Sequence, residues 1–270
     1  MTDPGRPKGY APDSPATRAL RRRPRRTFGS APLQLQDADL RRLVPMTVPT
    51  GTDPPMPDVL DQQSTNSCFE HVVAQAVRCL AVRDNMPVEL LSILSLYWEA
   101  RAAVQDQGAD DGTLPSAALG CIDQYGMAPA RDWPMIPSNV LVPPPPEVYR
   151  DGWGSRGALI IAAITDVAGQ REREIRDHLN RGNPVGIGLQ IGASFEQGAV
   201  PVWTGDASIL GGHYLLLLAS RSDAAFCLSS WGLRFGQLGG LWVSWAQIED
   251  PSVATDIIAF ERILRSPGAS

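Results

Sequence analysis

The sequence predicts an α+β fold in which a helical half precedes a β-rich half. Three observations carry this expectation. Apolar residues recur at helical spacing between residues 68 and 125. After residue 158 the apolar runs are short and bounded by Gly or Asp, as strands are. Between the two lie four prolines in series, Pro143 to Pro146, which favour a stiff extended link. A chain of 270 residues, 43% hydrophobic and 20% charged, can bury a core in one large domain or two lobes.

The elements follow in chain order. Residues 1–45 are drawn as a disordered tail, rich in Arg and Pro and with almost no apolar periodicity. The run Arg21-Arg22-Arg23-Pro24-Arg25-Arg26 suits a nucleic acid, an anionic surface or a processing site, but such runs mostly only solvate a chain. Residues 46–150 form the expected helical lobe, entered by a Pro-rich lead-in that includes Pro54, Pro55 and Pro57. Phe69, Val72, Val73, Ala76, Val77 and Leu80 set a helix over 68–83. Leu90, Ile93, Leu94, Tyr97, Trp98 and Arg101 set a second over 89–104, and a third over 114–125 is closed by Gly126. Residues 151–270 form the expected β-rich lobe. Its strands are read at 158–167, 184–191, 213–220, 224–231, 239–248 and 256–264, with a short helix over 172–181.

Charge is uneven. Residues 1–50 hold Lys8 and nine Arg against four Asp, while the whole chain carries −5. A nucleic-acid partner is therefore expected only through the tail. The longest apolar runs, 158–164 and 214–219, are too short to span a bilayer, and the N-terminus lacks the apolar stretch of a secretory signal. Four cysteines, Cys68, Cys79, Cys121 and Cys227, are no disulfide framework if Cys68 is free, so a reducing, cytoplasmic setting is expected. Cys79, Cys121 and Cys227 are read as buried small hydrophobes.

Cys68 is the most informative residue. The polar run DQQSTNS ends at it, and an apolar helical pattern starts there. A thiol at a helix N-terminus meets the positive end of the dipole, which favours the nucleophilic thiolate. Such a nucleophile needs a base, an orienting group and oxyanion donors. Of three histidines, His213 is the best base, because two glycines precede it and an apolar strand follows. His71, three residues after Cys68, flanks the site; no second ligand pair accompanies it, so no metal or other cofactor is expected. His178 is read as a surface residue.

At these residues the chain resembles the papain-like cysteine peptidases, especially their compact bacterial members. Cys68 and His213 are 145 residues apart, within the family's usual interval. Gln62 stands where the family has its oxyanion glutamine, and Ser67-Cys68-Phe69 matches its Ser-Cys-aromatic step. The segment from Cys227 to Gly232 matches Asn-Ser-Trp-Gly, and Gly239 to Trp242 the closing Gly-aromatic strand. Gly112 matches the loop whose backbone pairs with extended peptides. The resemblance spans about residues 46–262. It implies a two-lobed papain-like fold, an N-terminal helical lobe and a C-terminal antiparallel β half-barrel. It also implies catalysis by Cys68, His213, Ser229 and Gln62, and a protein or peptide substrate met by Gly112, Gly212 and Trp231. Trp231 would shield the contact between His213 and Ser229, whereas Trp98, Trp133, Trp242 and Trp245 are read as core.

The chain departs from the family at three places. Ser229 stands for the asparagine that orients the histidine. Thr65 stands for a disulfide cysteine and Asn66 for a glycine. The extension before the site is too short for a helical inhibitory pro-domain, so latency would come from elsewhere, such as a protein partner or activator. Peptide-bond hydrolysis is the leading expectation. The alternatives are a weakened or inactive papain-like binding scaffold and a deamidase or transglutaminase-type effector.

Overall fold

The computed structural model describes residues 59–264, apart from 88, 153, 154, 166, 168 and 199–201. The Arg-rich tail and most of the lead-in before residue 59, Pro54, Pro55 and Pro57 among them, lie outside the described residues.

The first helix, α1, spans Cys68–Arg83 and begins where the sequence pattern begins. Phe69, Val72, Val73, Ala76, Val77 and Leu80, the stripe that predicts it, are all buried. Helix α2 spans Ile93–Ala103 and starts four residues later than expected, because the Ser92 hydroxyl caps it by accepting the Ser95 N–H. Helix α3 spans Pro115–Tyr125. The proline series does not stay extended to its end. Pro146 opens an unexpected helix α4, Pro146–Gly152, since a proline is well suited to the first helical position.

Seven described strands form one sheet: β1 Leu159–Ala163, β2 Val185–Ile191, β3 Val202–Trp203, β4 Gly211–Ser220, β5 Ala224–Leu228, β6 Gly240–Ser244 and β7 Ala254–Ile263. Their order is β1-β7-β2-β4-β5-β6-β3, antiparallel except for the β3–β6 pair. Helix α5 spans Arg171–Asn180 and α6 Ala193–Gln197. The expected strand over 239–248 is half right. It stops at Ser244, whose extended backbone serves as N-cap, and α7, Trp245–Glu249, follows.

Alternation along β4 assigns the two faces of the sheet. Tyr214, Leu216 and Leu218 pack into one apolar cluster with α1 and α3. Leu215 and Leu217 face the other, with Ile175 of α5, Phe195 of α6 and Ile248 of α7. Gly186 of β2 is needed on the first face: a Cβ there would sit 2.7 Å from the Tyr214 ring. None of the four cysteines is in a disulfide, but Cys79 is half-buried rather than buried. Trp242 and Trp245 are core, as expected, whereas Trp98 and Trp133 are half-buried. His178 is not a surface residue. It is half-buried beside Glu261, 3.9 Å away, and Asn183. Among the described residues no helix is long and apolar enough to cross a membrane.

Candidate active site

Cys68 is the first residue of α1 and is fully buried. The turn before it is held by its own polar groups. Thr65 donates its hydroxyl to the Gln62 carbonyl at 2.8 Å, and its oxygen lies 2.7 Å from the Ser67 hydroxyl. The Ser67 carbonyl accepts both the His71 N–H at 3.1 Å and the His71 ring Nδ1–H at 2.8 Å. Burial pulls the His71 ring down to about 4, so it is neutral near pH 7 and its Nε2 carries a lone pair.

His213 enters from β4. Two residues of its strand, Gly211 and Gly212, pair with Ile191 and Gln190 of β2, so the expected turn is already strand. The ring is fully buried. Its Nε2 lies 3.0 Å from the Ser229 hydroxyl, just beyond the end of β5, so serine reaches the ring without a bridging water. Trp231 stacks on the ring, with centroids 4.2 Å apart and planes within 16°. Phe195 and Phe235 close round Trp231 edge-on, at 6.0 and 4.9 Å.

The two halves of the site meet through a strap. Residues 60–62 run antiparallel to 230–232: Gln62 N–H donates to the Ser230 carbonyl at 2.7 Å and Gly232 N–H to the Leu60 carbonyl at 3.2 Å. The Ser230 hydroxyl donates to Gln62 Oε1 at 2.5 Å. That fixes the amide's orientation. Its nitrogen donates one hydrogen to the Thr65 carbonyl at 2.6 Å. Phe69 and Tyr214, the residues that follow Cys68 and His213, touch edge to face at 4.7 Å. The start of α1 is thereby set against the start of β4.

A second anchor was not legible in the sequence. Asp110 accepts the Asn66 backbone N–H at 3.1 Å, its own carbonyl accepts the Asn66 side-chain amide, and its carboxylate accepts the Tyr97 hydroxyl. The Tyr97 oxygen in turn accepts the Gly112 N–H at 3.0 Å. These bonds tie the turn before Cys68 to the glycine loop, where the resemblance would have put a disulfide. They also commit the Gly112 N–H. Gly112 has φ +94°, which a side chain would strain. Beside it, Thr113 donates to Glu70 at 2.6 Å, and burial raises that carboxyl to about 7. Among the described residues no three His, Cys, Asp or Glu side chains converge as metal ligands would.

No family model matches the chain, and no curated protein matches it by sequence. Solved structures do. Xylellain, a cysteine protease from Xylella fastidiosa, superposes with a TM-score of 0.71 over 97% of this chain and 99% of its own, at 18% identity. The fold is papain-like. The Carica candamarcensis cysteine protease CMS1MS2 matches with a TM-score of 0.57 over 77% of this chain and 93% of its own, at 15% identity. The cysteine protease and lectin-like domains of Cwp84 from Clostridium difficile match with 0.59 over 81% and 52%, also at 15%. At such identities the likeness establishes the fold, and function must be argued from the side chains.

Proposed function

We propose that the protein is a cysteine endopeptidase acting by acyl transfer. The observation that carries this reading is the mounting of His213. Ser229 holds Nε2 and Trp231 covers the ring. The other nitrogen, Nδ1, is thus the one suited to exchange a proton with a thiol. In the proposed cycle His213 takes the Cys68 proton, and the thiolate attacks the peptide carbonyl carbon. The Gln62 amide and the Cys68 N–H stabilise the oxyanion. The C–N bond breaks as the imidazolium protonates the leaving amine, and a thioester remains. Water, deprotonated by His213, then releases the acid and the free thiol.

Gly112 and Gly212 would line the cleft with Trp231, and the substrate class is protein or peptide. The lack of a disulfide among the four cysteines fits a reducing, cytoplasmic setting. One observation favours the scaffold reading instead: Cys68, His213 and Gln62 are each 0% exposed, so a peptide reaches them only if the site opens. Incubating wild type and Cys68→Ala with a proteome and comparing new N-termini separates the two. New termini that need Cys68 support the peptidase. Their absence, with Cys68 alkylation unchanged by His213→Ala, would sink it.

A further inference from the structure

We propose that His71 and Gln75 are positioning residues that hold the Ser229 hydroxyl, and through it His213, by way of one buried water. The proposal rests on the peptidase reading for its catalytic consequence, but not for the water or for the state of the His213 ring.

His71 and Gln75 lie one turn apart on the same face of α1. With Ser229, Ser230, Leu60 and Leu228 they line a cavity of about 10 Å³, room for one water molecule. Polar atoms without protein partners point to an occupant. Gln75 is 3% exposed, yet neither its Oε1 nor its Nε2 makes a hydrogen bond. His71 is 1% exposed, and its Nε2, the lone-pair nitrogen, makes none either. The Cys79 thiol and the Asp61 carbonyl approach Gln75 and His71 respectively without completing a bond. Three such atoms in a dry apolar cavity would be costly. A water there finds the two to four polar partners it needs.

Ser229 supplies the link to catalysis. A hydroxyl has one hydrogen, two lone pairs and a free rotor. The asparagine of the resembled family is planar and turns only as a whole, whereas this hydroxyl must be stopped. Among the described residues its only hydrogen bond is to His213 Nε2. If Ser229 donates its hydrogen to the water, and the water donates to His71 Nε2 and Gln75 Oε1, the lone pair on Ser229 stays aimed at the ring. The imidazolium is then favoured, as an asparagine would favour it.

The test uses Gln75→Leu, close in volume, in the wild-type and Ser229→Asn backgrounds, on the full chain. The chain has only three histidines, so His213 can be followed by NMR titration. Expected results are water density in the cavity of wild-type crystals, lost in Gln75→Leu, and a His213 midpoint lowered by about one pH unit. That corresponds to a tenfold change in the imidazolium-to-imidazole ratio. Turnover of a peptide should fall about tenfold with KM unchanged. In Ser229→Asn, whose amide needs no water, Gln75→Leu should change both by less than twofold. His71→Phe should behave like Gln75→Leu; if it fails to fold, the Gln75 pair alone decides. An equal fall in both backgrounds, a dry cavity, or an unmoved His213 midpoint would overturn the proposal. A moved midpoint in a protein that cleaves nothing would sustain it while refuting the peptidase.

Discussion

Replacing Glu70 by Gln should stabilise the protein in alkaline but not in acid solution. Glu70 is two residues beyond Cys68, 1% exposed, with one oxygen bonded to Thr113 and the other without a partner. Burial is the main cause that raises its carboxyl from 4.5 to about 7, assisted by the Asp110 charge and opposed by the Thr113 bond and Arg101. The folded state therefore holds a proton that the unfolded chain releases above about 4.5. Stability falls as pH rises from 4.5 to 7 and is level beyond, where the unpaired charge is buried. Holding that proton to about 7 corresponds to about 3 kcal/mol. Glu99, raised to about 8 by burial, acts in the same direction, and His71, lowered to about 4, in the opposite one. Both are common to wild type and variant and cancel in the difference. The assay is urea unfolding followed by tryptophan fluorescence at pH 5, 6, 7 and 8. The variant should exceed wild type by less than about 1 kcal/mol at pH 5 and by about 3 kcal/mol at pH 8. A difference that does not change with pH, or a variant weaker at pH 8, would refute the reasoning.

Trp231→Ala removes the lid on His213 and the partner of Phe195 and Phe235, and should cost about 3–5 kcal/mol in urea unfolding, with peptide turnover lost. Trp231→Phe should recover most of the stability. Asp110→Ala frees the Asn66 N–H and the Tyr97 hydroxyl, and should lower stability by about 1–3 kcal/mol while reducing the Cys68 alkylation rate. Gly186→Ala drives a methyl to 2.7 Å from the Tyr214 ring and should cost about 1–3 kcal/mol by thermal melting, which Tyr214→Leu would partly relieve.

Legibility followed the range of the forces involved. Helix α1 was readable to the residue, because its start, its stripe and its polar lead-in are all local. The strand over 239–248 ends before Trp245 because Trp245 bonds to carbonyls more than twenty residues away, its backbone N–H to Asp223 at 3.2 Å and its indole N–H to Arg221 at 3.0 Å, and no local pattern shows that. Pro146 was taken for an extended residue, although the same fixed φ also begins a helix. Among the candidate site residues, order and spacing pair His213 with Ser229, which meet at 3.0 Å. Asp110, Tyr97 and Ser230 could not be anticipated. Asp110 meets Asn66 across 44 residues, and Ser230 meets Gln62 across 168, so no window of sequence contains either pair.

The strap between residues 60–62 and 230–232 has a consequence for biosynthesis. A ribosome delivers the chain in order, so the Cys68 thiol emerges long before the segment that clamps its turn. At about 5–20 residues per second that interval is on the order of 10 s. On the peptidase reading proposed above, the nascent protein carries Cys68 throughout that interval without His213, its proposed base, and without the clamp. On that reading, the order of synthesis alone would keep the thiol from acting before residues 213–232 have emerged.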